Sequence, residues 1–222
     1  MLAKDIRIQI QIKSKFLFIH WGLSLKGKKN YLILYAMSFL SHLSSVISVS
    51  KDLEAELKAV TKKTTISKGE SIIDIDTRCN DLFFVEKGLL RGYYLDDGKE
   101  ITNWFAQEGE FATSFYAFIA KKPSFETIEA LEDCTLIQLP YSSLQNLYLK
   151  FPETERLGRI ITETYYIKLE ERLLSLQFKT AKERYQNFIL SKPSLLQRTS
   201  LGQIASYLGI TQETLSRIRA EI

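Results

Sequence analysis

The sequence predicts an α+β chain: an N-terminal antiparallel β-roll of jelly-roll type, one long helix, and an all-α C-terminal unit built around a helix-turn-helix. Three observations lead there. Gly69, Gly88, Gly98 and Gly109 punctuate an aromatic-rich stretch at spacings of 19, 10 and 11, the interval of short strands in a sandwich or roll. Residues 153–178 hold no proline and one glycine, and their apolar side chains recur at helical spacing. The stretch "LGQIASYLGITQETLSRIRA" at 201–220 sets a glycine between two short amphipathic runs, as a turn between two helices would.

Charge divides the chain unevenly. Residues 1–36 carry seven Lys or Arg against Asp5 alone, residues 37–178 are net acidic, and residues 179–222 carry seven basic residues against three acidic ones. A basic end suits a polyanion, because neutralised phosphates release counterions. Residues 1–36 form a basic extension, read either as an amphipathic N-terminal helix or as sequence upstream of a start at Met37. The uncharged run from Asn30 to Ser50 includes six serines, which makes it a poor membrane span, and no small-residue cleavage site closes it.

The elements follow in order. Ser50 caps a short helix whose Leu53, Leu57 and Val60 share one face. Residues 37–152 form the roll, with "DLFFVEKGLLRGYYLDDGKEITNWF" giving paired strands and Asp97-Gly98 a tight hairpin turn. Residues 153–178 form the long helix. Its Leu157, Ile161, Tyr165, Leu169 and Leu173 make one stripe, a dimer seam, with a second stripe through Ile160, Ile167 and Leu174. Residues 179–222 form the helical C-terminal unit.

Within that unit Ser200 is an N-cap with Gln203 returning the bond. The first helix, about 201–208, buries Leu201, Ile204 and Leu208, and Ala205 sits where the second helix crosses closely. Gly209 supplies the positive φ of the turn. Thr211 caps a second helix over 211–221, whose Leu215 and Ile218 face inward. Its outer face offers Gln212, Glu213, Ser216, Arg217 and Ala220. Gln suits adenine, Glu the amino group of cytosine and Arg the two acceptors of guanine in a major groove. Ser200, Thr211, Thr214 and Arg219, with the N–H groups at the helix start, suit phosphates.

Enzymatic chemistry finds little support. Residues 43–222 contain no histidine, which argues against a histidine-based metal site or a Ser/His or Cys/His nucleophile. No glycine-rich phosphate loop occurs. Cys79 and Cys134 read as lone buried thiols. No cofactor is expected.

The order of roll, long helix and "ITQETLSRIR" resembles the Crp/Fnr family of bacterial transcription regulators over about residues 37–222, most clearly in "DLFFVEKGLLRGYYLDDGKE" and in the second helix of the pair. The resemblance implies a cyclic-nucleotide-binding-like effector domain, a homodimer joined along the long helix, and a recognition helix reading a pseudo-palindromic operator. Glu213 and Arg217 match the family's recognition residues, while Gln212 stands where Arg is frequent. It implies double-stranded DNA and a second copy of the chain as partners, RNA polymerase as a further one, a cytoplasmic setting and no membrane. Cyclic-AMP-binding members carry a Gly-Glu and an Arg-Ser pair in the roll; here Thr113-Ser114 and Ser124-Phe125 stand in those places. Without the Arg a cyclic phosphate loses its strongest contact, unless Lys121 or Lys122 substitutes. The effector pocket, drawn from Arg91, Phe111, Thr113, Ser114, Ser124 and Phe125, is therefore not expected to take cyclic AMP, and its ligand is unidentified. Iron–sulfur members need several cysteines near the N-terminus, which Cys79 and Cys134 do not supply, and His20 and His42 lie outside the roll. Family members often add a two-stranded wing after the recognition helix; with the sequence closing at Ile222, contacts are expected to rest on the helix and the dimer. The alternative is a ligand-sensing or protein-binding adaptor without sequence-specific DNA binding.

Overall fold

The computed structural model describes residues 38–221; the basic extension 1–36 and Met37 lie outside them. Two short helices lead in. Ser38 caps α1 (Phe39–Val46), and Ser50 caps α2 (Lys51–Val60), its Oγ accepting from Leu53 N–H at 3.1 Å. Leu53 and Leu57 are buried on the face that the spacing predicts.

Eight strands then make two four-stranded antiparallel sheets. One runs β1 (Lys62–Ile66), β8 (Cys134–Pro140), β3 (Asp81–Lys87), β6 (Phe111–Ala112); the other runs β2 (Ser71–Ile73), β7 (Thr127–Ala130), β4 (Leu90–Asp96), β5 (Lys99–Ala106). Between β4 and β5 the chain turns at Asp97 and Gly98, both at positive φ, the mirror-image turn that matches strand twist. Phe83, Val85, Leu90, Ile128 and Leu136 pack together as the core of the roll.

The unbroken run Leu82-Phe83-Phe84-Val85 has a simple cause. Successive side chains of β3 point to opposite faces, and both faces are covered. Phe83 and Val85 enter the roll core, while Phe84 joins a second core with Phe39, Leu43, Leu53, Leu57 and Ile137. The leading helices thus cover the outside of one sheet.

Helix α3 (Phe115–Ala120) lies between β6 and β7, and α4 (Tyr141–Lys150) follows β8. Pro152 opens the long helix α5 (Pro152–Phe178), where its missing N–H costs nothing. The C-terminal unit comprises α6 (Ala181–Ser191), α7 (Leu195–Arg198), α8 (Leu201–Tyr207) and α9 (Gln212–Ala220). Their shared core of Tyr185, Phe188, Leu195, Ile204, Leu208, Leu215 and Ile218 also takes in Leu89, Phe105 and Leu131 of the roll. The C-terminal helices are therefore docked on their own roll. Among the described residues no helix is long and apolar enough to cross a membrane.

Candidate nucleic-acid interface and effector pocket

Capping sets the start of both helices in the C-terminal pair. Ser200 Oγ accepts from Gln203 N–H at 3.2 Å, and Gln203 Oε1 accepts from Ser200 N–H at 3.0 Å, closing a capping box. Gly209 turns the chain at φ +65°, and Ile210 N–H reaches back to Ala205 O at 3.1 Å. A side chain at Gly209 would be strained in that backbone and would press on Leu176 of α5. Ala205 is buried at the crossing. Arg184 Nε donates to Leu208 O at 2.8 Å, satisfying a carbonyl at the end of α8.

Thr211 then caps α9, its Oγ1 accepting from Thr214 N–H at 3.2 Å. Leu215 and Ile218 are buried, while Gln212, Glu213, Ser216, Arg217 and Ala220 are exposed. Thr211 and Arg219 are exposed as well, and Thr214 is half-buried. The protein's own roll leaves this face uncovered. The Glu213 carboxyl is held below its usual range by its own backbone N–H and then by the Thr211 hydroxyl, so it stands ready as a charged acceptor. Ser200 is engaged in its capping box.

The residues assigned to the effector pocket do not converge. Ser114 and Ser124 meet, their hydroxyls 3.0 Å apart and both almost fully buried. Ser124 Oγ also donates to Glu126 O at 2.7 Å. Thr113 is buried nearby but donates to Asp81 O at 2.9 Å. The other three lie elsewhere. Arg91 alternates with Leu90 and Gly92 along β4, so it leaves the roll by the opposite face. There its Nη1 pairs with Glu100 at 2.6 Å and Glu129 at 2.9 Å, and its Nε donates to Thr102 Oγ1 at 2.9 Å. Phe111 packs against Phe84 and Phe39 in the outer core. Phe125 is exposed and lies on Tyr116.

A carboxyl overlooked in the sequence sits beside the two serines. Glu126 is buried, accepts from Trp104 Nε1 at 2.8 Å and is hydrogen-bonded by Ser114. Burial pushes its pKa up to about 6 against these bonds. The indole lies over Gly92, where any Cβ would collide with it. The interior that would hold a cyclic nucleotide thus contains an indole and an acid. Lys121, offered by the sequence as a substitute phosphate partner, instead places its ammonium 3.0 Å over the Tyr141 ring.

The stripe on α5 divides. Leu157, Ile161 and Tyr165 are half-buried against their own chain, with Tyr165 stacked on Phe115 at 4.1 Å between ring centres. Leu169 and Leu173 are exposed, and so are Tyr166, Ile167, Leu174, Leu176 and Phe178. Among the described residues no group of three His, Cys, Asp or Glu could hold a metal ion, and Cys79 and Cys134 are free and buried.

Comparison with known proteins fits this architecture. The cyclic nucleotide-binding domain family matches residues 63–151. The fumarate and nitrate reduction regulatory protein of Vibrio cholerae is 25% identical over 172 residues, which is 72% of this chain and 68% of that one. Its Escherichia coli counterpart is 25% identical over 171 residues, again 72% and 68%. The structure of FixK2 from Bradyrhizobium japonicum superposes with a TM-score of 0.65 at 26% identity, covering 73% of this chain and 84% of that one. A CooA mutant from Carboxydothermus hydrogenoformans shares the fold at a TM-score of 0.62 and 22% identity, covering 78% and 80%.

Proposed function

The chain belongs to the Crp/Fnr family of transcription regulators, and from that premise we propose that it binds double-stranded DNA as a homodimer, reading bases through α9. One observation carries the reading. Leu215 and Ile218 anchor α9 while Gln212, Glu213, Ser216 and Arg217 stand exposed, so the side chains able to read base edges are on the free face. Thr211 and the N–H groups at the start of α9 take a phosphate, and Arg219 a second. The basic balance of residues 179–222 favours the same polyanion.

Dimerisation is supported by the exposed stripe on α5. Tyr166, Leu169, Leu173 and Leu176 recur at spacings of 3, 4 and 3, the pattern of a two-helix seam. The seam thus lies further along α5 than Leu157 and Ile161. Two recognition helices related by a two-fold axis select a pseudo-palindrome with half-sites about one helical turn apart. The matched relatives are named as regulators, and we read this chain as non-enzymatic, acting in the cytoplasm with RNA polymerase as a further partner. The roll, with Glu126 and Trp104 beside Ser114 and Ser124, does not hold cyclic AMP.

Selection of bound duplexes from a random pool tests the reading. Enrichment of a pseudo-palindrome is expected. Recovery of no common sequence would favour an adaptor that works without reading DNA.

A further inference from the structure

A cavity of about 250 Å³ opens between α1, α3, α4 and the first turns of α5. It shares none of Ser114, Ser124, Glu126 or Trp104. Phe39, Leu57, Phe111, Phe118, Leu144 and Ile161 are among the apolar side chains of its wall. Among the described residues no Lys, Arg, His, Asp or Glu lines it, and the nearby Lys121 ammonium is turned onto the Tyr141 and Phe118 rings. An ion entering such a wall would lose its hydration with no charge on the wall itself to replace it.

The polar groups of the wall are few and fall into two kinds. Thr154 Oγ1 donates to Phe151 O at 2.7 Å and Thr162 Oγ1 to Gly158 O at 2.9 Å, so both hydroxyl protons are used within α5. The Gln145 amide and the Tyr141 and Tyr148 hydroxyls make no hydrogen bond among the described residues, and none is sealed from solvent. Gly158 leaves room for Tyr148, because a Cβ there would collide with the phenol oxygen. Three hydrogen-bonding groups therefore border an otherwise apolar space.

Size sets the rest. A dry apolar cavity of about 150 Å³ accommodates benzene, so this one accommodates a two-ring body. We propose that this cavity binds a neutral, largely apolar small molecule carrying one hydrogen-bonding group, held by Gln145 or Tyr148. Because the wall joins the roll to α5, occupancy bears on the helix that carries the exposed stripe. The inference stands apart from DNA reading, since α9 contributes nothing to the wall.

Isothermal titration of the full chain with 1-naphthol tests it. One saturable site per chain is expected. Ile119 lies at the mouth and is 60% exposed, so Ile119→Trp fills the entrance without disturbing a core and should weaken binding at least tenfold. Leu95→Gln, at an exposed leucine of β4 away from the cavity and from α5, should change affinity less than twofold and controls for surface adsorption. Absence of saturable heat would overturn the proposal. So would unchanged binding in Ile119→Trp, or loss of binding in Leu95→Gln.

Discussion

Arg198 grips Glu108 across 90 residues of sequence, its Nη1 and Nη2 each 2.9 Å from one carboxylate oxygen. The same guanidinium reaches Glu132 through Nε at 2.9 Å and Nη2 at 2.7 Å. Glu108 and Glu132 belong to the roll and Arg198 ends α7, so this clasp ties the C-terminal helices to the roll. Ser206 Oγ adds a bond to Glu100 O at 3.0 Å, and Arg172 bridges Thr102 O and Tyr207 O. Planar, bidentate pairing of this kind is among the stronger hydrogen-bonded arrangements.

Replacing Arg198 by Met should therefore loosen the docking by about 1–3 kcal/mol, since two partly buried carboxylates lose their partner. Hydrogen exchange in residues 201–220 should quicken while β3 and β8 stay protected. Burial alone would raise the Glu108 pKa. The bonds from Arg198 and from the backbone N–H groups of Glu108 and Gly88 outweigh it and hold the group below its ordinary value. A depressed carboxylate stabilises the fold above its unfolded pKa and loses that contribution as pH falls through the folded one. The clasp should be intact at neutral pH and weaken only below about pH 4.5.

Glu126 should show the opposite pH dependence. Its folded pKa of about 6 lies above the ordinary 4.5, so its contribution is whole below pH 4.5 and is lost as pH rises through 6. Glu126→Gln keeps an acceptor for Trp104 and removes the buried charge. The thermal midpoint of the variant should exceed that of the parent at pH 8, by an effect of about 2 kcal/mol, and approach it at pH 4.5. An equal difference at both pH values would contradict the assignment.

Cyclic AMP should give no heat of binding at neutral pH. The serines that take the place of the family's nucleotide contacts are bonded to each other and to Glu126, and the acid repels a phosphate. Micromolar affinity would overturn this view of the roll.

Leu173→Asp should leave the fold intact, because Leu173 is 53% exposed in the single chain, yet convert a dimer to monomers in sedimentation. Charges facing one another across a two-fold seam repel. A dimer of unchanged stability would place the seam elsewhere.

The helix-turn-helix was legible because its signals are local. Ser200 with Gln203, Gly209 and Thr211 each obey a capping or turn rule spanning a few residues, and all recur in the structure. The effector pocket was less legible. Arg91 reads as an effector-pocket residue only if alternation along β4 is ignored, and Leu90 on its inner side already places it outside. Phe111 belongs to a core supplied largely by the two leading helices, more than 50 residues earlier in sequence, a placement no local rule encodes. The Arg198 clasp joins residues that share no motif, so only the folded chain reveals it. How much of the α5 stripe stays exposed was out of reach for the same reason: periodicity identifies a stripe but not which part of it the chain itself will cover.

Affinity for a selected operator, measured for the parent, Arg217→Ala and Arg219→Ala at several salt concentrations, tests base reading by α9 most directly. Arg217→Ala should cost about 1–3 kcal/mol and relax preference at one base pair. Arg219→Ala should weaken binding to every duplex alike and reduce the salt slope by about one. Parental affinity and base preference in Arg217→Ala would contradict the account.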